Sequence, residues 1–410
     1  MKKSKSKRLK AVFAAAAASM MVTSMPAGAH IHSMPFQGQQ FVNDNGDPGV
    51  IRIAGMRIDQ RSCLSLDDFL ADTSNHRRAP SYETLTELYN SSAFSRNLMR
   101  DAADQNVQVC DMGLPNNIAG VHIPHLNKVG LDFKRNTSTH LNMVYMAHEF
   151  AHYTQFLNGS DYFDPNRTMY ENQRVLLAME TAAPVAELIA MFLAEENGDR
   201  RASSAFPHRS EESRWYRAFK LEYRSQIRAG VTHDDALNAA ANKVWINTFD
   251  DQDKLDHYNN ALLGFTLVNM HLLKPSVAAN YSDPDLAAAV RGAGQLSDTV
   301  DFTNLDTMPS GEALFGRNDR MQRIFEAMEW YRQSKIYGAD NEWVIWQQNN
   351  LRANGNRYVD ADFDEALRDI RKGKRADRAI ADSVSRQRNS FEASDISTFH
   401  TPNISVTYKF

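Results

Sequence analysis

The sequence predicts an α+β protein in which a small β-sheet or hairpin lies beside one long helix, followed by a mainly helical region. Most strand-like stretches lie before residue 134, and apolar residues at helical spacing dominate after residue 139. No internal repeat is evident. A chain of 410 residues with 42% hydrophobic and 23% charged residues is typical of a globular protein of two or three domains.

The first 29 residues have the three-part pattern of a secretory signal peptide. A basic stretch from Lys2 to Lys10 precedes the apolar run 11–22, and small residues lead up to Ala29. We predict cleavage after Ala29 and export from a bacterial cell, to the periplasm or beyond. The mature chain then has 40 Lys and Arg against 50 Asp and Glu, so nucleic acid is not an expected partner. No later run of 18 apolar residues occurs, and no membrane span is expected in the mature chain.

The region before the long helix is predicted to supply the strands. Residues 30–80 are rich in Gly, Asn, Asp, Gln and Pro, which indicates an extended segment with little core of its own and one strand at Val50–Ile53. Next we expect a helix over 82–103, interrupted near Ser91-Ser92, and a strand at 107–110. A hairpin should follow, with arms at 118–123 and 128–133 and a turn at 124–127.

A helix from His140 to about Leu157 is predicted to carry the chemistry, with Ser138 or Thr139 as N-cap and Asn158-Gly159 as its stop. Each helical residue advances by about 100°, so His148, Glu149 and His152 share one side. This H-E-x-x-H spacing can present two imidazoles to zinc and a carboxylate to its water. Apolar neighbours would bury the triplet, which is costly unless it serves a purpose. A zinc site is therefore favoured over a structural histidine pair.

Zinc in a catalytic site needs a third protein ligand, and the next apolar helix offers two carboxylates in its middle. Glu180 and Glu187 are seven residues apart and nearly on the same face, so periodicity alone leaves both open. Pro184 lies between them and cannot donate to the carbonyl of Glu180, which predicts a kink.

The rest of the chain reads as helices and a charged end. Residues 338–410 are charged and irregular, and the alternation in Asn403–Phe410 indicates a C-terminal edge strand. Further helices are predicted over 172–196, 211–229, 234–249, 255–273 and 319–337.

Residues 148–152, followed by a helix bearing the stretch Met179-Glu180-Thr181-Ala182-Ala183, resemble the gluzincin branch of zinc metallopeptidases. The resemblance covers residues 80–270, and over this range the chain is similar to uncharacterised bacterial metallopeptidases. It implies a zincin-like fold, with Glu180 as third ligand and Glu187 as second choice, and a hairpin edge along which a peptide substrate lies. The Asn-Glu-x-x-Ser-Asp sequence of the thermolysin kind and the Gly-x-x-His of the metzincin kind are both missing, which leaves the subfamily and the substrate preference open.

The predicted organisation has five parts. A signal peptide (1–29) precedes an extended segment (30–80) that could act as a pro-region. A zincin-like metallopeptidase domain (81–275), a helical extension (276–340) and a charged C-terminal region (341–410) follow.

The predicted function is an exported zinc metallopeptidase acting on a peptide or protein substrate, with zinc on His148, His152 and Glu180 and with Glu149 as general base. Two alternatives stay open, an inactive zincin-like binding protein and a hydrolase of cell-wall peptides. The sequence leaves the oligomeric state undetermined.

Residues outside the H-E-x-x-H stretch give weaker signals. Cys63 and Cys110 are expected to form a disulfide in an oxidising compartment, and the alternative is a Cys63 thiolate on the metal of an inactive precursor. The histidines that could contact substrate, or in the last case stabilise an oxyanion, are His122, His125, His140 and His257.

Overall fold

A computed structural model of the chain describes residues 42–359 and 405–408. Within the first range it leaves out residues 45–46, 54–55, 73–78, 115–117, 124–125, 135–137, 162–163, 165–166, 207–210, 253, 257, 260–261, 263–285, 312 and 317. The predicted signal peptide and its cleavage site therefore lie outside the described residues.

One mixed β-sheet forms the first layer of the described fold. Its strand order is β1-β2-β3-β5-β7-β6-β8, and β4 pairs with β5 beside this path. The β5–β7 pair is parallel and the other pairs are antiparallel. The strands are β1 (Val42–Asp44), β2 (Asp47–Ile53), β3 (Met56–Asp59), β4 (Leu64–Ser65), β5 (Gln108–Gly113), β6 (Ile118–Ile123), β7 (Lys128–Leu131) and β8 (Ser405–Tyr408).

The α-helices with described bounds lie along the chain between the strands of this sheet and after β7. They are α1 (Leu66–Ala71), α2 (Tyr82–Ser91), α3 (Ala93–Asp104), α4 (Thr139–Leu157), α5 (Met169–Glu196), α6 (Glu211–Arg228), α7 (His233–Asn247), α8 (Leu286–Gly294), α9 (Asp319–Tyr337) and α10 (Glu342–Ala353). A mixed fold with a small sheet and mostly helical content agrees with the predicted α+β class.

The hairpin and the long helix follow their sequence signals closely. β6 and β7 pair antiparallel, with Gly120 opposite Leu131 and Ile123 opposite Lys128. α4 begins after Ser138, whose hydroxyl accepts the backbone N–H of Leu141 at 3.3 Å. The break predicted near Ser91-Ser92 is also present, since Ser92 caps α3. These predictions are confirmed. They could be made from the sequence because each rests on local capping or turn chemistry.

The segment before residue 80 contributes more to the core than its composition indicates. β2 includes the predicted strand, but β3, β4 and α1 were not predicted. Their apolar side chains join the main core, and those buried completely or nearly so are Ile58, Leu64, Leu66 and Phe69. Single apolar residues among Gly, Asn and Asp carry little local signal, and here they acquire partners through the pairing of β3 and β4 with β5 and through the contact of Phe69 with Tyr82 and Tyr89 on α2.

α4 and α5 form the centre of the molecule. They pack against each other, and α4 also lies on β6 and β7. α5 starts with a capping box, in which Thr168 accepts the N–H of Glu171 and the Glu171 carboxylate accepts the N–H of Thr168 at 2.7 Å. α5 continues through Pro184 as one helix of 28 residues.

α5 is long and apolar enough to cross a membrane by length and composition, and it is the only helix in the described part of the chain that meets this test. Its most apolar 18-residue window is completely buried inside the fold. Neighbouring helices cover it, among them α4, α7 and α8. Its apolar character is thus explained by its position in the core.

The C-terminal part of the chain differs from the sequence prediction in one respect and agrees in another. α10 lies within the region expected to be irregular, and the expected helix at 255–273 falls mostly outside the described residues. The expected C-terminal edge strand is present as β8, which pairs antiparallel with β6.

Cys63 and Cys110 form a disulfide, which confirms the predicted pairing. Cys63 is therefore not the thiolate ligand of a precursor. Cys110 lies on β5 in the centre of the sheet, so the bond attaches the segment after β3 to a core strand.

Removal of this disulfide should lower the free energy of unfolding. Closing a loop between residues 47 positions apart restricts the unfolded chain, and loop-closure entropy gives about 4 kcal/mol for this length. A Cys63→Ser, Cys110→Ser double variant, compared with the oxidised and the reduced wild type by urea titration, should unfold at the midpoint of the reduced protein. A midpoint equal to that of the oxidised protein would contradict this expectation.

Candidate metal centre

Two helices bring the predicted site residues together. His148, Glu149 and His152 lie on α4, and Glu180 lies on α5. All four side chains are completely buried. One ligand atom each from His148, His152 and Glu180 lies within 4.8 Å of the other two, and Nε2 of His152 is 3.6 Å from Oε1 of Glu180. These three side chains could therefore hold one metal ion.

The second carboxylate of α5 has a different position. Oε1 of Glu187 lies 2.6 Å from Nδ1 of His148, and both side chains are buried. Glu187 thus contacts the Nδ1 side of the His148 imidazole. When Nδ1–H donates to this carboxylate, Nε2 is left with its lone pair as the ligand atom. This contact was not predicted, because a seven-residue spacing does not reveal which histidine nitrogen a carboxylate meets.

His152 is oriented in the same way by a neutral group. Its Nδ1 lies 2.8 Å from Oε1 of Gln155, one helical turn further along α4. The amide nitrogen of Gln155 donates to the carbonyls of Met179 on α5 and Ala293 on α8. Three helices therefore fix this amide, and it in turn fixes the ring. The i, i+3 spacing of His152 and Gln155 is the signal in the sequence that could have identified this contact.

Burial shapes the acid–base behaviour of these groups. It lowers the pKa of His152 to about 4, and the hydrogen bond with Gln155 opposes this shift. A neutral imidazole is the form that binds a metal. Burial, together with the charge of Glu212, raises the pKa of Glu187 well above its usual range, while Lys254 acts in the opposite direction. The donor set of two imidazoles and a buried carboxylate suits a divalent ion.

Glu149 faces the sheet where β6 has no side chain. A Cβ placed on Gly120 would lie 3.0 Å from Oε1 of Glu149 and 2.8 Å from Cδ2 of Leu131. The absence of a side chain at Gly120 therefore leaves room for the carboxylate between α4 and β6. Gly120 lies in the predicted hairpin, but no local pattern in the sequence links it with Glu149.

His122, two residues after Gly120, faces the same side of the sheet. Its ring stacks on that of His152 with centroids 6.4 Å apart and contacts the ring of Tyr153 at 4.0 Å. Burial and the charge of Glu149 raise the pKa of Tyr153 well above its usual range, so its hydroxyl keeps its proton. β6 thus contributes two positions, Gly120 and His122, to the surroundings of the metal cluster.

Of the remaining candidate histidines, only His140 lies among the described residues, and it does not join this group. His140 is near the start of α4, and its Nε2 lies 2.6 Å from Oδ2 of Asp199. His125 and His257 lie outside the described residues.

The chain is similar to a family of known proteins. The model of a family described as "Putative metallopeptidase family (DUF6782)" matches residues 59–288. A search of curated proteins and a search of solved structures each returned no match. The matched range contains α4, α5 and the three residues that could hold a metal.

A side chain at Gly120 should disturb the packing between β6 and α4. We expect Gly120→Ala to lower the free energy of unfolding by about 1–3 kcal/mol, because Leu131 and Glu149 must move in a filled interior. Gly113→Ala is the matched control on β5, where the added Cβ would meet Cβ of Arg57 at an ordinary 3.5 Å. Urea titration of both variants measures the difference, and equal midpoints would show that Gly120 is not required for packing.

Proposed function

Because the chain belongs to this metallopeptidase family, which supports a peptidase function and implies a metal, we propose that it is an exported zinc metallopeptidase of the gluzincin type. The observation that carries the proposal is the buried cluster of His148, His152 and Glu180 with Glu149 on the same helix. A structural zinc site has no need of Glu149, whereas hydrolysis requires a base at this position.

His148 and His152 would hold the zinc through Nε2 and Glu180 through a carboxylate oxygen. Glu187 and Gln155 support this assignment, because each engages the Nδ1 atom of one histidine. Three protein ligands leave a fourth position for water or substrate. A zinc ion held by these three residues would act as a Lewis acid that activates water and polarises the substrate carbonyl.

Glu149 is the proposed general base. Its carboxylate takes a proton from the attacking water, whose oxygen forms the new bond to the carbonyl carbon. As the carbon–nitrogen bond breaks, Glu149 passes this proton to the leaving amine. The Glu149 carboxylate lies beside β6 at Gly120, so the reacting peptide bond would lie between this strand and α4.

The proposed substrate is an extended peptide segment. A peptide that pairs with the edge of β6 gains main-chain hydrogen bonds along the strand and carries its carbonyl groups past Glu149. Cross-linked peptides of a cell wall would fit the same chemistry as protein chains.

Export is supported by the N-terminal sequence pattern and by the disulfide. Disulfides persist in oxidising compartments and are rare in the cytoplasm.

Replacement of Glu149 should separate catalysis from metal binding. We expect Glu149→Gln to retain one equivalent of zinc and to lose peptide hydrolysis by about 10²–10⁴-fold, because the amide cannot accept the proton. Zinc is measured by elemental analysis and hydrolysis with a library of quenched fluorescent peptides. Glu87→Gln, at an exposed position on α2, is the control that should behave as wild type. Turnover retained by Glu149→Gln would disprove the mechanism, and peptide binding by the wild type with no turnover would favour the inactive binding protein.

The two carboxylates of α5 should differ in their effect on zinc. We expect Glu180→Ala to lose most of the metal, because it removes a ligand. Glu187→Ala should keep the metal with about 10–100-fold weaker affinity, because it removes only the partner of His148. Competition with a chelator measures both affinities. A larger loss in Glu187→Ala than in Glu180→Ala would reverse the assignment of the third ligand, and absence of zinc from the wild type after supplementation would refute the metal site.

A further inference from the structure

β8 lies on the edge of β6 along which the proposed substrate would bind. The register pairs Tyr408 with Ile118, Thr407 with Gly120, Val406 with Val121 and Ser405 with His122. β6 has β7 on its other side, so these backbone contacts occupy the remaining edge of the strand.

The occupied stretch is the part of β6 that is closest to the candidate centre. Gly120 is the position next to Glu149, and His122 is the residue stacked on His152. The backbone of Thr407 is opposite the first of these residues and that of Ser405 is opposite the second. β8 also contacts α4, which carries Glu149 and both histidines. The C-terminal strand therefore follows the path of an extended peptide across this site.

The direction of β8 strengthens the comparison with a substrate. It runs antiparallel to β6, and an antiparallel peptide on an open strand edge is one of the standard ways in which proteins bind extended chains. Sheet pairing through the main chain depends little on the side chains of the added strand. A segment of the same chain and a peptide in solution would thus compete for the same hydrogen-bonding groups.

We propose that the C-terminal strand Ser405–Tyr408 is an intramolecular competitor of the peptide substrate, and that the enzyme is inhibited until this strand leaves β6. The proposal rests on the proposed function for its substrate and on the β6–β8 pairing for its inhibitor. A tethered segment has a high effective concentration at its site, so weak pairing is sufficient to exclude a dilute peptide. The regulated step is the release of β8, by displacement or by cleavage of the segment that carries it.

The first test uses the full-length chain with one substitution in β8. Val406→Pro removes a backbone N–H and fixes φ within the paired segment, which should release the strand. Asn403→Pro, before the paired residues, is the matched control. If β8 is paired nine-tenths of the time, release should raise kcat/KM for an extended fluorescent peptide by about tenfold. Equal zinc content and equal unfolding midpoints would show that the rest of the site is unchanged.

A binding measurement keeps this proposal separate from the proposed function. A labelled peptide with the sequence of Asn403–Phe410 is added to chains that also carry Glu149→Gln, so that the probe is not cut, and its fluorescence anisotropy is recorded. The peptide should bind the chain with Val406→Pro at least about tenfold more tightly than the chain with wild-type β8. A probe peptide with proline in place of its own valine should bind neither chain.

The possible results distinguish the inhibitory strand from the peptidase function. Tighter binding of the probe without hydrolysis by any variant would uphold β8 as an occupant of the β6 edge and refute the peptidase. Hydrolysis by the wild type that Val406→Pro leaves unchanged, with equal probe binding by both chains, would refute the inhibitory strand and leave the peptidase standing. A loss of activity together with a lowered unfolding midpoint in Val406→Pro would show that β8 is only a structural edge strand, provided that the probe peptide also fails to bind.

Discussion

The candidate site depends on one constraint. A polar group can be buried in this interior only where it forms a hydrogen bond with another polar group or contacts an ion. α4 and α5 cross beside the sheet with almost every side chain removed from water, yet they carry two imidazoles and three carboxylates into their contact. Each such group would cost several kcal/mol if it were buried without a partner. The contacts of His148 with Glu187 and of His152 with Gln155 offset part of this cost, and each of them engages the Nδ1 atom of one ring.

This constraint separates two roles that look alike in the sequence. Glu180 and Glu187 are both acidic residues in an apolar helix, and both lie on the face toward α4. They are separated along the helix axis by about 10 Å, since each residue rises by about 1.5 Å. Only one of them can be level with Nε2 of both histidines, and the other meets a ring from its Nδ1 side. The proposed division into ligand and positioning group therefore follows from how far α5 is shifted along α4.

The predictability of the fold follows the range of the interactions. The hairpin, the interrupted helix at Ser92 and the ends of α4 were predicted because capping hydroxyls, turns and apolar spacing act within a few residues. The disulfide was predicted because the chain has only two cysteines. The strands before residue 60 were largely missed, since they form by pairing with one another and, for β3, with the distant strand β5. At the site, His148, Glu149 and His152 could be grouped from one helix, whereas the contact of Gly120 with Glu149 joins two elements whose relative placement no local pattern encodes.

α5 has a consequence for the route by which the proposed export would occur. A chain that crosses a membrane unfolded presents this helix to the translocation machinery before any core exists to bury it, and its apolar composition would favour lateral release into lipid. An acidic side chain at the centre of such a segment opposes insertion, by about 2.5–3.5 kcal/mol for an aspartate. Glu180 and Glu187 lie in the middle of α5. The same two carboxylates that equip the folded protein for a metal would thus keep the unfolded chain from stopping in the bilayer.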